Sequence, residues 1–445
     1  DGIKNQDETD VDCGGKVCAA RCGGGKGCLV NADCQSMVCV NDVCTNPPTC
    51  TDGTKNGQET DVDCGGPVCP RCAVGKTCLV NTDCASGMCQ GGLCAGALTL
   101  GFGTPVTYAA TAPFALAIAD VNNDAKLDVV TVPVSATRVA QNGDVFLGDG
   151  KGGLGAALPF GGATFKLGYS VAAADFNGDG DVDLAIADNT GGVSIWLGGG
   201  NGSFARGASI AATAPWSVVA ADFNLDGKQD VLFVDQQATL ALDLGLGNGN
   251  FQALTTLAAS GASHVIAADL NGDGILDAAA AAFASPGGVQ VLLGAAGGKF
   301  QTAVDYGAGP FARSVAAGDF NRDGRLDLVL ANQMSGTLSV LLNNGSGGFL
   351  APAMLTTNPN PRWVVVADFD LDGNLDIAVD DYTPSTTIDV FLGMGNGSFA
   401  ALRSFSGGGG RAMAVADMNG DGKPDLVTAN LENGNNVGVI LNTSR

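Results

Sequence analysis

From residue 97 onward, the apolar residues come in short runs that lack helical spacing. SVAAAD (170–175) leads into a polar loop, and DLAIAD (183–188), VSIWLG (193–198) and a run beginning at Phe204 follow. Short runs of Val, Ala, Ile and Leu bounded by Gly, Asn and Asp are typical of β-strands. The same order recurs along the chain, so the pattern predicts repeats of four short strands each.

An acidic loop separates the first two predicted strands of every repeat. In the loop that begins at Asp175, carboxylate or amide side chains occupy positions one, three, five and nine, and Gly180 is sixth. Alternating spacing turns hard oxygen ligands toward one centre, and glycine tolerates the positive φ of a tight turn. An EF-hand would carry Glu at position twelve, where this loop has Ile186. The spacing predicts a calcium loop between two strands.

The acidic loop occurs seven times, with 47 to 55 residues between successive copies. One copy would fit an ordinary Asx turn equally well, whereas seven in register favour metal binding. We therefore expect up to seven calcium ions. The predicted side-chain ligands are Asp120, Asn122, Asp124, Asp128, Asp175, Asn177, Asp179, Asp183, Asp222, Asn224, Asp226, Asp230, Asp269, Asn271, Asp273, Asp277, Asp319, Asn321, Asp323, Asp327, Asp368, Asp370, Asp372, Asp376, Asp417, Asn419, Asp421 and Asp425. The backbone carbonyl of the residue at position seven is a further predicted ligand in six of the loops. These residues are Asp181, Lys228, Ile275, Arg325, Asn374 and Lys423.

Seven four-stranded repeats fit a closed β-propeller better than an open β-solenoid, whose repeats are usually shorter. The seventh repeat ends at VGVILNTSR without an outer strand. The missing piece occurs at the front of the domain, in LTLGFGTPVTY, where Phe102 matches the hairpin Phe of later repeats. The sequence thus predicts an all-β, seven-bladed propeller over residues 97–445, closed by its N-terminal strand.

The acidic loops and the hairpin-Phe pattern resemble the FG-GAP repeats of integrin α-subunit propellers and related bacterial repeats. This resemblance implies calcium beneath the blades and, often, extracellular recognition or adhesion. The first repeat departs from the pattern, because Ala125 replaces the sixth-position glycine and a longer insert (133–143) separates its strands. We expect its calcium site to be the weakest or empty.

All fifteen cysteines lie before residue 97, in two copies of one module at 1–49 and 50–96. Modules this small need covalent staples, and such cysteine density indicates an oxidising compartment. The pattern resembles tandem modules of large secreted bacterial proteins. Zinc is the alternative, because Cys69 and Cys72 form a CxxC pair, but neither module contains histidine. Because the number of cysteines is odd, at least one thiol has no partner within this chain. Either its partner was lost upstream, or it forms a bond to a neighbouring chain.

The formal charge of −23 argues against nucleic acid as a partner. Residues 97–445 hold 33 acidic and 15 basic side chains, and most of the acids belong to the loops. No apolar run approaches the roughly 20 residues of a membrane helix, so no membrane insertion is expected. We expect a secreted protein, extracellular or at the cell surface.

A second group of chemistry-bearing residues precedes the loops. Six positions before each first ligand, and in two cases one place later, the chain has residues that would ring the channel mouth opposite the loops. They are Phe114, Tyr169, Trp216, Ser263, Arg313, Arg362 and Arg411 at the six-position offset, joined one place later by His264 and Trp363. Aromatic rings and guanidinium groups can stack a sugar and hold a carboxylate. The alternative is that these residues plug the channel or pack between blades.

Three functional hypotheses follow. The first is a structural or adhesive protein that assembles end to end, as a homo-oligomer or fibre, through the cysteine-rich modules. The second is a lectin with a glycan or surface protein as ligand, and the third is a glycan-active enzyme. We expect no catalytic residues, because His264 is the sole histidine and no nucleophile or phosphate-loop motif occurs.

Overall fold

The computed structural model describes most of the chain after residue 98 and short segments before it. The described residues are 22, 26, 28–29, 39–40, 42–44, 55, 59–65, 69, 71–73, 75–80, 83–84, 89–90, 92–94 and 99–445, the last range without 136, 138, 237–238, 253–254, 259–260, 383–386, 408–409 and 433. The chain divides into two compact units, Asp1–Ala97 and Leu98–Arg445. Across the described residues, no helix has the length and hydropathy needed to cross a membrane.

Disulfide bonds staple the described part of the first unit. Its two short hairpins have the same register, and their strands are β1 (Cys39–Val40), β2 (Val43–Cys44), β3 (Cys89–Gln90) and β4 (Leu93–Cys94). The described disulfides join Cys64 to Cys72, Cys78 to Cys89 and Cys84 to Cys94. Cys69 is also disulfide-bonded. Both cysteines of the CxxC pair are therefore bonded, and zinc is the wrong alternative there. The question of an unpaired thiol concerns residues outside the described ones.

The second unit contains seven four-stranded antiparallel sheets, and its first strand along the chain is β5 (Val106–Ala109). Blades one to three contain β6 (Pro113–Ala119), β7 (Asp128–Pro133), β8 (Gln141–Phe146), β9 (Leu158–Phe165), β10 (Gly168–Ala174), β11 (Asp183–Asp188), β12 (Gly192–Gly198), β13 (Phe204–Ile210), β14 (Pro215–Ala221), β15 (Asp230–Asp235), β16 (Thr239–Asp243) and β17 (Thr255–Ala258).

Blades four to seven continue the same order, and blade four has one extra hairpin. Their strands are β18 (Ala262–Ala268), β19 (Asp277–Ala282), β20 (Gly288–Leu292), β21 (Gly294–Ala295), β22 (Lys299–Phe300), β23 (Val304–Tyr306), β24 (Ala312–Gly318), β25 (Asp327–Asn332), β26 (Thr337–Leu341), β27 (Ala353–Thr356), β28 (Pro361–Ala367), β29 (Asp376–Asp381), β30 (Thr387–Phe391), β31 (Arg403–Ser406), β32 (Ala412–Ala416), β33 (Asp425–Asn430) and β34 (Asn436–Ile440).

The blades close into a ring, which confirms the predicted all-β, seven-bladed propeller. The inner strand of blade seven, β32, contacts the inner strand of blade one, β6, as well as that of blade six. The open solenoid is therefore the wrong alternative. Ring closure continues in blade seven, where β5 pairs with β34 and supplies the fourth strand, as predicted.

Apolar side chains fill the spaces between neighbouring blades. The second strand of every blade is buried along its whole length, as in β11 with the sequence DLAIAD. In the core between blades two and three, Phe176 and Ile195 pack with Val218 and Phe233. Strands buried on both faces read as continuous apolar runs, which is why the pattern along the sequence identified them. The packed blades hold the loops at their ends in fixed positions.

Two predicted details are wrong. Phe204 opens an outer strand in blade two, as expected, but the matching Phe251, Phe349 and Phe399 form isolated bridges, and their outer strands begin four residues later. The register changes by one residue between the bridge of Gly245 with Phe251 and the strand pair of Leu242 with Thr255, and this irregularity separates the bridge from the strand. In blade one, the insert between the second and third strands spans 134–140, shorter than predicted, because the second strand continues to Pro133 and the third already begins at Gln141.

Candidate functional site

The acidic loops join the first and second strands of the blades, and their oxygens are turned inward. In blade two, Asp175 accepts hydrogen bonds from the backbone N–H groups of Gly178 (2.7 Å) and Gly180 (2.9 Å). Asn177 Oδ1 accepts from the N–H of Asp179 (2.9 Å), whose own Oδ1 accepts from that of Asp181 (2.9 Å). These bonds wrap the loop around its first, third and fifth side chains. The sequence itself therefore folds the loop into a cradle of oxygen atoms.

The ninth-position carboxylate has a structural role of its own. Asp183 is 0% exposed, and its oxygens accept the N–H groups of Phe176 (2.9 Å) and Gly198 (2.7 Å). Equivalent pairs of bonds, 2.6 to 3.0 Å long, occur in all seven loops. Burial is the largest cause raising the pKa of each of these seven carboxyls. A buried acid of this kind is costly to ionise without a nearby cation.

Two positions in each loop have left-handed backbone, and the sequence revealed only one of them. The sixth position has positive φ in every loop, including Ala125 (62°). The N–H of Ala125 donates to Asp120 Oδ2 at 2.7 Å, as that of Gly180 does to its own first ligand. Blade one thus keeps the loop geometry despite lacking glycine. The fourth position is also left-handed throughout, in Asn123, Gly178, Leu225, Gly272, Arg322, Leu371 and Gly420.

A cationic side chain follows the fifth-position aspartate in four loops. The ammonium of Lys228 lies 3.2 Å from Asp226, and the guanidinium of Arg325 lies 3.0 Å from Asp323. Blades one and seven have the same arrangement, Lys126 with Asp124 (2.9 Å) and Lys423 with Asp421 (3.9 Å). We predicted only a carbonyl ligand from position seven. The side chain there also offsets part of the charge of the loop.

Blade six contains the most converged cluster of oxygens. One carboxylate oxygen from each of Asp368, Asp370 and Asp376 lies within 4.8 Å of the others. Asp370 Oδ1 and Asn374 Oδ1 are buried and have no hydrogen-bond partner among the described residues. Burial, together with the charges of Asp370 and Asp368, raises the pKa of Asp376 to about 8. Orphaned buried oxygens and crowded carboxylates fit a divalent cation with oxygen ligands.

The face opposite the loops has a cavity of about 600 Å³ at the mouth of the channel, here called the mouth cavity. Inner strands run from this face toward the acidic loops, so residues at their starts surround the opening. Five predicted residues line the mouth cavity: Phe114, Tyr169, Trp216, Arg313 and Arg411. The structure therefore brings together residues that are up to 297 positions apart in the chain.

The aromatic residues form a continuous wall. The rings of Tyr169 and Trp216 are stacked, with centroids 4.4 Å apart and an interplanar angle of 28°. Phe114 meets Tyr169 edge-on, at 4.9 Å between centroids. Three successive blades each contribute one ring because their inner strands start in register. Because Tyr169 and Trp216 stack on each other, they present apolar ring edges to the cavity, and these edges can contact the carbon atoms of a sugar.

Three guanidinium groups lie beside this wall. Arg313 is held between the rings of Trp216 (5.4 Å) and Phe283 (5.1 Å). Arg362 and Arg411 each lie over Phe114, at 5.4 and 5.2 Å from its centroid. Burial, followed by the charge of Arg411, lowers the pKa of Arg313 to about 10. Burial and the charges of the other two arginines lower the pKa of Arg362 as well.

Arg411 has a carboxylate partner that the sequence did not reveal. Its Nε donates to Glu432 (2.8 Å), and its Nη2 donates to the hydroxyl of Tyr382 (3.2 Å). Glu432, Tyr382 and Phe283 all follow the second strand of their blades. Because that strand is antiparallel to the first, it returns to the mouth, and the residue about fourteen places after the first loop ligand arrives there. That offset was the missed signal.

The remaining predicted residues lie deeper. His264 and Trp363 line an interior cavity of about 340 Å³, and their rings are 4.7 Å apart. His264 Nδ1 accepts the N–H of Val315 (3.3 Å), and burial, followed by the charge of Arg313, lowers the pKa of His264 to about 4. Arg362 is 3% exposed, behind the mouth cavity. These three residues therefore pack inside the channel, as in the alternative to a binding role given in the sequence analysis.

Comparison with known proteins agrees with this architecture. FG-GAP-like repeats match at residues 120–186, 175–233, 222–280, 269–330, 319–379 and 382–428. No curated protein matches the sequence.

Among solved structures, the chain is similar in fold to two lectins. One is the BP39L lectin of Burkholderia pseudomallei, with a TM-score of 0.60 and 14% identity over 76% of this chain and 98% of that one. The other is an Agrocybe aegerita lectin that recognises non-reducing terminal N-acetylglucosamine, with a TM-score of 0.51 and 19% identity over 73% of this chain and 87% of the other. Because its repeats match over most of its length, the chain belongs to the FG-GAP-like repeat family.

Proposed function

We propose that this protein is a non-enzymatic, extracellular glycan-binding protein whose ligand site is the mouth cavity. The observation that carries the proposal is the stacked wall of Tyr169 and Trp216 beside the guanidinium of Arg313, all lining one cavity. Ligand pockets combine apolar surface with a few fixed polar groups, and their volumes commonly reach 300–1,000 Å³. Cation–π contacts with Trp216 and Phe283 restrict the guanidinium of Arg313, which limits the entropy lost on binding.

Two further observations support binding over turnover. The solved structures of similar fold named above are lectins, although at their identity the likeness concerns the fold. At the channel, His264 has a pKa of about 4 and already accepts a backbone hydrogen bond, so it is poorly suited to act as a base near neutral pH. Disulfide bonds in the first unit are consistent with an extracellular location.

We also propose that each acidic loop holds one calcium ion, up to seven in all. The orphaned oxygens of Asp370 and Asn374 and the buried ninth-position carboxylates support this assignment. A bound divalent cation would place a positive charge next to these oxygen atoms and serve as their missing partner. Its contribution is structural, because binding to the folded state alone stabilises that state. Affinities typical of extracellular sites, on the order of 10⁻⁴–10⁻³ M, are expected.

A glycan array tests the ligand site. Wild-type protein in calcium should bind a defined set of glycans, and Trp216→Ala should lose at least tenfold in affinity for them. Met394→Ala is the matched control, since Met394 is 60% exposed on a hairpin at the loop face. Absence of any glycan binding, or binding that Trp216→Ala leaves unchanged, would contradict a site at the mouth.

End-to-end assembly through the cysteine-rich modules stays a prediction from the sequence. Non-reducing gels and negative-stain images of native material test it. Disulfide-linked oligomers or fibres would support an adhesive assembly that presents many glycan sites. Monomers alone would leave a single-site lectin.

A further inference from the structure

We infer that the mouth cavity takes an acidic sugar, a pyranose that carries a carboxylate, and that Arg313 binds the carboxylate. This inference rests on the proposed glycan-binding function and names the class of its ligand. It is carried by an imbalance of charge between the arginines and the carboxylates around the cavity.

Among the residues that the structure describes, two of the three guanidinium groups have no carboxylate partner. Glu432 forms an ion pair with Arg411. Among the described residues, no carboxylate lies within ion-pair distance of Arg313 or Arg362, and Arg362 Nε has no hydrogen-bond partner. Asp380 acts on Arg362 only through its longer-range charge. The described mouth therefore has an excess of positive charge within a protein whose formal net charge is −23.

Such an arrangement is unfavourable without an anion. Burying a charged group is costly unless it is paired and hydrogen-bonded, and Arg362 is 3% exposed. Mutual repulsion adds to this cost, as the lowered pKa values of Arg313 and Arg362 indicate. An anion bound by Arg313 in the mouth cavity would reduce the mutual repulsion of the guanidinium groups. We therefore assign the excess charge to ligand binding, since it weakens the free protein.

The geometry selects a sugar acid over a simple anion. Arg313 both lines the cavity and packs against Trp216, so a group bound by its guanidinium lies next to the aromatic wall. A planar guanidinium matches a carboxylate through two parallel hydrogen bonds. The adjoining edges of the Trp216 and Tyr169 rings then contact the apolar carbon atoms of the same residue. An inorganic anion would use the arginine and leave the aromatic wall without a role.

Titration calorimetry in calcium tests this assignment. The probes are oligosaccharides that end in glucuronic acid, matched oligosaccharides that end in glucose, and their glucose 6-sulfate counterparts. The proteins are wild type, Arg313→Gln, Arg313→Lys and a control, Arg206→Gln. Arg206 also lies over a tryptophan ring, at 6.0 Å from Trp196, but on the outer strand of blade two.

We expect wild type to bind the glucuronic acid probe at least tenfold more tightly than the glucose probe. Arg313→Gln should remove this preference while keeping weak binding of the glucose probe, and Arg206→Gln should change neither. If Arg313→Gln fails to fold, as judged by circular dichroism, Arg313→Lys should show a reduced preference because lysine cannot bind bidentately. Equal or tighter binding of the glucose or sulfate probe overturns the inference and leaves the glycan-binding proposal intact. Absence of binding to all probes and to the glycan array overturns both.

Discussion

Phe102 and Asn442 form an antiparallel bridge that joins the two ends of the propeller. The side chain of Asn442 is buried, and its Nδ2 donates to the carbonyl of Phe369 in blade six at 2.8 Å. This residue therefore links the closing strand, the last blade and the blade before it. The ring depends on contacts between residues far apart in sequence.

Asn442→Ala should destabilise the propeller by about 2 kcal/mol, because it leaves buried backbone groups short of a partner. Asn250→Ala, on an exposed hairpin, is the matched control and should change stability by less than about 0.5 kcal/mol. Urea unfolding followed by tryptophan fluorescence measures both. Equal effects of the two substitutions would mean that the closing contact adds little.

Ala125→Gly should stabilise the protein by about 1 kcal/mol, because alanine at a φ of 62° carries the strain of left-handed backbone. Ala205→Gly is a control for which the expected change in stability has the opposite sign. Ala205 is exposed in strand β13, where glycine should destabilise by about 0.5–1 kcal/mol. Unfolding curves in saturating calcium compare the two. A loss of stability in Ala125→Gly would show that the first loop is not strained at this position.

Asp179→Ala and Asp183→Ala should separate the calcium role of a loop from its structural role. Asp179 is exposed, so its loss should reduce stability in calcium and have little effect in chelator. Asp183 accepts two buried backbone N–H groups, so its loss should cost roughly 2–5 kcal/mol in both conditions. Melting curves with calcium and with chelator make the comparison. Indifference of wild type to chelator would contradict the calcium proposal.

The raised pKa of Asp381 should make the free energy of unfolding decrease as the pH rises. Burial, followed by the charge of Asp389 and a hydrogen bond with it, raises the pKa of Asp381 to about 8, from 3.8 in a free side chain. The folded protein thus holds a proton that the unfolded chain releases above pH 4. The stability from this proton is complete below pH 4 and is lost as pH rises through 8, with a slope of up to about 1.4 kcal/mol per pH unit.

Asp381→Asn should therefore flatten the pH dependence of the unfolding free energy between pH 5 and 8. Asp305→Asn, on the exposed outer strand of blade four, should retain the slope of wild type. Urea titrations at pH 5, 6, 7 and 8 in saturating calcium measure the slopes. Parallel curves for wild type and Asp381→Asn would contradict the assignment.

Most of the architecture was predictable because the repeats are periodic. Each loop fixes where the first strand of a blade ends and the second begins, so Asp175 and Asp183 mark that boundary in the sequence itself. The outer strands were less predictable, because their edges are held by single bridges such as that of Phe251 with Gly245. Neither periodicity nor composition distinguishes a bridge from a continuous strand.

The mouth was only partly predictable. Counting back from each loop found Tyr169, Trp216 and Arg313, because inner strands of equal length start together. The same count also selected Arg362, which is buried behind the cavity, and Trp363, one place later, lines the interior cavity instead. Glu432 was missed because it reaches the mouth on the second strand, and its role depends on which arginine it meets.

The most direct test of the account is a structure of the propeller in calcium with the tightest-binding oligosaccharide from the array. We predict that a sugar ring lies against Trp216 and Tyr169 in the mouth cavity, with its carboxylate on Arg313. A sugar bound at the rim or between blades, with solvent alone in the mouth cavity, would contradict the account.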